Sequence, residues 1–113
     1  MKDKIVILGA GESGVGAAIL AVHQGFTVFV SDGSLIANGR KEELSSRGIS
    51  FEEGGNTENL ILDASIVIKS PGVPETAPIV QEIKAHGIPV ISEIEFAYRY
   101  KGDSKVVAIT GTN

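Results

Sequence analysis

A chain of 113 residues supplies material for one domain, and at that size roughly two-thirds of the unfolded surface is buried without disulfide staples. Hydrophobic residues make up 42% and charged residues 21%, a globular composition rather than a disordered one. A net charge of −4 without any basic run sets nucleic acid aside as a partner, and the absence of cysteine excludes disulfides, thiolate metal sites and cysteine nucleophiles.

The stretch from Ser13 to Ser31 carries no formal charge, yet His23, Gln24 and Gly25 interrupt it and its pattern turns there from helical to strand-like. Two short elements account for it better than a bilayer span. The run Ile5–Ala10 is too short for a secretory core. The expected setting is cytoplasmic, away from membranes.

In chain order, Lys4–Leu8 reads as a parallel strand buried on both faces. Val15, Ala18, Ile19 and Val22 then fall on one face of a helix that spans Ser13 to Gln24 and stops at Gly25. Thr27–Ser31, β-branched and aromatic, is the second strand. A polar helix over Lys41–Arg47 ends at Gly48, and Ile49–Glu52 is a short third strand, with Glu52 and Glu53 expected as a solvated pair. Thr57 is a candidate cap for one turn reaching Leu62, and Ser65–Lys69 is the fourth strand. The prolines and glycine of Ser70–Glu75 forbid helix and ladder alike. Thr76 is placed to cap a helix over Ala77–His86 that buries Ile79, Val80 and Ile83, Gly87 ends it, and Ile88–Ile91 is the fifth strand. Ser92 and Glu95 form an S-x-x-E capping box opening a helix to about Lys101, closed by Gly102 before a last apolar strand at Val106–Ile109.

Each of Gln24-Gly25-Phe26, Arg47-Gly48-Ile49 and His86-Gly87-Ile88 ends a helix, turns the chain and starts a strand. Successive units of this kind cross over right-handedly. The expected fold is therefore α/β, a Rossmann-like, doubly wound parallel sheet of about five strands in three layers, with ligands at the carboxyl ends of the strands.

Gly9-Ala10-Gly11-Glu12-Ser13-Gly14 is a complete G-x-G-x-x-G between a strand and a helix. Gly9 permits the tight turn, Gly11 lets a ligand approach the backbone, and Gly14 lets the helix pack on the strand. The helix start offers unpaired N–H groups and the positive end of its dipole to an anion such as a diphosphate. Asp32 ends the second strand, close to the offset of about 20 residues at which an acidic side chain meets a ribose or base edge. Ser70-Pro71-Gly72-Val73-Pro74 follows the fourth strand, where a glycine brings backbone N–H groups to the same ligand from the opposite wall or simply shapes a rigid loop.

Thr110-Gly111-Thr112-Asn113 after Val106–Ile109 looks like the start of a phosphate loop, without the later Lys and Ser/Thr that such a loop needs. Taken with GAGESG, Asp32 and SPGVP, this AITGTN ending strongly resembles the amino-terminal part of the Mur ligase family, in its MurD-like branch. The resemblance implies that residues 1–92 bind the UDP part of UDP-MurNAc-L-Ala. Glu12 and Ser13, flanked by Gly11 and Gly14, would sit at the diphosphate with Gly72 opposite, and Asp32, Gly33 and Ser34 would line the uridine. Ser34 stands where the family often has arginine, which removes a stacking or charge contact. Residues 93–113 would be a linker helix and the first strand of an ATP-binding domain, with Gly111, Thr112 and Asn113 opening its phosphate loop. The implied parent is a monomeric, ATP- and Mg²⁺-dependent ligase that turns the substrate carboxylate into an acyl phosphate for attack by the D-glutamate amine. Its metal ligands and catalytic residues would lie beyond Asn113, so neither ligase activity nor a bound cofactor is expected of this chain alone.

A second reading is a stand-alone NAD-binding module of a dehydrogenase or regulatory protein, built on the same glycine turn and Asp32. Such a module has no use for AITGTN. His23 and His86 precede helix-ending glycines, where imidazole complements the helix dipole, and neither has a catalytic partner at an informative spacing. Glu93 and Glu95 fit the first turn of a capped helix, and Phe96, Tyr98 and Tyr100 are expected to pack a linker helix.

Overall fold

The structure, a computed structural model, describes residues 3–100. The strand expected at Val106–Ile109 and the glycine at 102 lie outside these residues. Five strands alternate with five helices: β1 (Lys4–Leu8), α1 (Glu12–His23), β2 (Thr27–Asp32), α2 (Asn38–Ser46), β3 (Ser50–Glu53), α3 (Glu58–Ile61), β4 (Ile66–Lys69), α4 (Pro78–Ala85), β5 (Val90–Ser92) and α5 (Glu93–Tyr100). All strand pairs are parallel, in the order β3-β2-β1-β4-β5. The doubly wound sheet expected from the sequence is present.

Alternation along the central strand builds the three layers. Ile5 and Ile7 face a core shared with Val15, Ala17, Ala18 and Ala21 of α1, Leu44 of α2 and Phe96 of α5. Val6 and Leu8 face the opposite core, with Ile61 of α3 and Ile79, Val80 and Ile83 of α4. β1 is therefore apolar throughout after Lys4, and each such side chain removed from water contributes about 1.5–3 kcal/mol.

Several boundaries differ from the sequence reading. The buried face of α1 is Val15, Ala17, Ala18 and Ala21, while Val22 is 40% exposed. Small residues face the sheet because the helix lies close to it. α2 begins at Asn38, and Ala37 rather than a polar side chain stands at its cap. Thr76 does not cap α4, because Pro78 at the first helical position moves the cap to Ala77. β5 starts at Val90 instead of Ile88, the intervening Pro89 having no N–H to give a ladder. Half of the capping box forms: Glu95 N–H donates to Ser92 Oγ at 3.0 Å, while the Glu95 carboxylate pairs with Arg99. α5 is packed rather than free-standing, with Phe96 fully buried and Phe26 and Tyr100 edge to face at 5.6 Å. Tyr98 points outward at 58% exposure.

The glycine turn sets the spacing of α1 from the sheet. Gly9 has φ +100°, and a methyl group on Gly14 would stand 2.0 Å from the Gly9 carbonyl oxygen. Gly14→Ala is expected to lower stability by about 1–3 kcal/mol or more. Gly16→Ala, whose methyl meets nothing within 4 Å, is expected to raise stability by up to about 1 kcal/mol. Urea midpoints of the two variants check both signs.

Candidate functional site

The strand order reverses between β1 and β4, whose following helices α1 and α4 pack on opposite faces. At this switch point, beyond the carboxyl ends of the strands, lies a cleft of about 440 Å³. The Gly9–Gly11 turn forms one wall and Ser70, Gly72 and Val73 the other, while Asp32, Gly33, Ser34 and Asn56 line the end beneath β2 and β3.

Two amides of the glycine turn are used internally. Gly9 N–H donates to the Ser31 carbonyl and Ala10 N–H to Asp32 Oδ2, each at 2.9 Å. Gly11 is the N-cap of α1 and no side chain caps the helix, so its first-turn N–H groups remain for an outside acceptor. Nothing lies within 4 Å of the position a Gly11 side chain would take. Asp32 spends its other oxygen on Ser34 N–H, at 2.9 Å. The carboxylate thus pins the loop after β2 to the loop after β1, leaving further lone pairs toward the cleft.

Glu52 and Glu53 are not a solvated pair, contrary to the sequence expectation. Glu52 accepts from Thr57 N–H (2.8 Å), Thr57 Oγ1 (2.6 Å) and Ser31 Oγ (2.8 Å), and this use of the Thr57 hydroxyl replaces the helix cap expected of it. Glu53 accepts from Ile36 N–H at 2.8 Å and from Lys41 Nζ at 3.1 Å. Burial acts to raise the Glu52 pKa, but the Thr57 and Ser31 donors outweigh it and hold the group below the ordinary carboxylate value. Glu53 is lowered too, first by the Ile36 N–H and then by Lys41. The missed signal was positional, since both acids stand at the carboxyl end of a strand, on the ligand side of a parallel sheet.

On the opposite wall, Lys69 fastens its own loop. Its Nζ donates to the Val73 carbonyl at 2.7 Å and pairs with Glu75 at 3.2 Å. Lys84 also pairs with Glu75, and the two lysines, Lys84 foremost, lower that carboxyl's pKa. Gly72 N–H faces Ser70 Oγ at 3.4 Å, at the long end of hydrogen bonding.

Of the residues singled out by sequence, Gly11, Asp32, Gly33, Ser34 and Gly72 line one cleft. Glu12 is exposed in the first turn of α1. Gly14 is buried, and its close approach to Gly9 gives it a packing role. Ser13 borders a separate apolar groove between α1 and α5, beside Glu93, Ile94 and Phe96. Sequence reasoning did not foresee that Glu93 Oε2 would be buried there without a hydrogen-bond partner. Gly111, Thr112 and Asn113 lie outside the described residues. His23 ends α1, and His86 Nδ1 lies 2.9 Å from the Glu82 carbonyl at the cap of α4. Among the described residues, no three His, Cys, Asp or Glu side chains cluster to hold a metal, and no helix is long and apolar enough to cross a membrane.

Residues 3–92 match the family described as Mur ligase MurD-like, N-terminal domain. The chain belongs to that family. It is 59% identical over 110 residues to the UDP-N-acetylmuramoylalanine–D-glutamate ligase of Bacteroides thetaiotaomicron, covering 97% of this chain and 24% of that protein. The Cytophaga hutchinsonii ligase of the same name is 54% identical, over 100% of this chain and 25% of its own length. The chain thus spans about a quarter of the curated relatives it matches. Among solved structures, a murein peptide ligase from Psychrobacter arcticus superposes with a TM-score of 0.77 at 24% identity, over 86% of this chain and 20% of that one. The MurD-like match gives the NAD-module reading less support than the ligase reading.

Because Glu52, Glu53 and Glu75 have folded-state pKa values below the unfolded ones, the unfolded chain binds more protons in acid. Their contribution is present above the ordinary carboxylate value and is lost as pH falls through it toward the lowered ones. The urea midpoint is expected to drop as pH is taken from 6 to below about 4, with a shallower drop in Glu52→Gln.

Proposed function

We propose that residues 1–92 bind the UDP portion of UDP-MurNAc-L-Ala, as the substrate domain of an ATP-dependent ligase that joins this compound to D-glutamate. The observation that carries the reading is the uncapped start of α1 at Gly11, open to the switch-point cleft. Gly11, Glu12 and Ser13 present first-turn N–H groups to the diphosphate, Gly72 closes the other side, and Asp32, Gly33 and Ser34 hold the uridine. Glu12 contributes through its backbone, its exposed carboxylate turned to solvent. Among the described residues, none lining the cleft is Lys or Arg, so backbone amides and the helix dipole carry the anion. Residues 93–113 begin the ATP-binding domain, whose phosphate loop opens at Gly111, Thr112 and Asn113. ATP and Mg²⁺ supply carboxylate activation there, in a monomeric cytoplasmic parent.

Titration of the 113-residue chain with UDP and with NADH tests the reading, which expects UDP to bind and NADH not to. Gly11→Asp places a carboxylate where the phosphates lie. It is expected to weaken UDP at least about tenfold, or ~1.4 kcal/mol, without lowering the urea midpoint, because the position is open and Asp is a favourable cap for α1. Tight NADH binding with no response to UDP would overturn the proposal.

A further inference from the structure

Ser31 is 1% exposed and is the one buried polar residue among the described residues. Its hydroxyl has a single proton and three oxygen neighbours: Glu52 Oε2 and Asn56 Oδ1, each at 2.8 Å, and the Gly55 carbonyl at 3.5 Å. Glu52 also takes the N–H and the hydroxyl of Thr57, so it stands as a carboxylate that only accepts. The Ser31 proton therefore goes to Glu52, the charged and stronger acceptor. That leaves the Ser31 oxygen facing Asn56 with lone pairs, and an amide oxygen 2.8 Å away would be a second acceptor against the first. Side-chain amide oxygen and nitrogen exchange places by a half-turn about the last bond. Turned that way, Asn56 donates Nδ2–H to Ser31, and both short contacts of the Ser31 hydroxyl pair a donor with an acceptor.

The other amide atom then becomes the carbonyl oxygen. It lies 3.4 Å from where a side chain on Gly33 would begin, on the wall of the cleft beside Asp32 and Ser34. We infer that Asn56 is a specificity-determining residue of this cleft, presenting its carbonyl oxygen to an N–H donor on the nucleotide base. This rests on the proposed placement of uridine at that end. The relevant chemistry is an imide edge such as that of uracil, whose ring N–H meets a fixed acceptor. Ser31 and Glu52 act behind it as positioning residues, holding the amide in one orientation before any ligand arrives. A polar group fixed in this way discriminates more strongly than a hydrophobic wall, because the wrong ligand leaves it unpaired.

The test compares UDP with UDP methylated at the ring nitrogen, by calorimetry on the full chain. The wild type is expected to prefer UDP by about tenfold or more, and Asn56→Ala to bring the ratio of the two affinities close to one. A wild type that binds UDP, with the same ratio in Asn56→Ala, would overturn the inference and leave the UDP reading standing. A wild type that does not bind UDP would sink that reading and this one with it. The amide orientation is checked without ligand by NMR. One Asn56 side-chain N–H proton is expected to exchange slowly with water and to lose that protection in Ser31→Ala, whereas two rapidly exchanging protons in the wild type would refute the orientation.

Discussion

The close approach of α1 to the end of β1 governs the geometry of the cleft. A single added carbon at position 14 would stand 2.0 Å from the Gly9 carbonyl oxygen, so the helix can start where it does only with glycine there. With that contact made, the first turn of α1 lies directly beyond the central strand and Gly11 faces open space. The small residues Ala17, Ala18 and Ala21 continue the same close seam along the sheet. A bulkier face would push the helix outward and carry its N-terminus away from the switch point.

Carboxylates do the complementary work at the other strand ends. Asp32 gathers the amides of Ala10 and Ser34, Glu52 the N–H and hydroxyl of Thr57, and Glu53 the amide of Ile36. Acids beside the proposed phosphate site look unfavourable on Coulombic grounds. Here their charge is spent on backbone donors, which fixes the loops around the cleft and leaves the α1 amides unopposed. Lys69 plays the corresponding part on the far wall, tying its loop through the Val73 carbonyl and Glu75.

The fold was largely legible because it rests on local signals. Buried strands, the helix periodicity of α4 and the left-handed glycines at 25, 48 and 87 each declare themselves within a few residues. The misreadings share a cause. Periodicity and residue type point to Val22, Thr76 and Ile88, and each gives way to something those signals do not weigh, the closeness of the sheet for Val22 and a nearby proline for Thr76 and Ile88. In the cleft, the glycine turn and Asp32 were visible as a motif because their spacing follows from one βα unit.

The chain's own letters were enough to establish a parallel α/β sheet, a glycine turn at its switch point and kinship with the Mur ligases, since those depend on residue types at short, fixed separations. Which carboxylate holds which loop, and that Ser31 and Glu52 stand behind Asn56, were decided only in three dimensions. The parallel register sets β2 beside β3 and brings the loops after them together, and hydrogen bonds between segments 21 to 25 residues apart leave no periodic trace in a sequence.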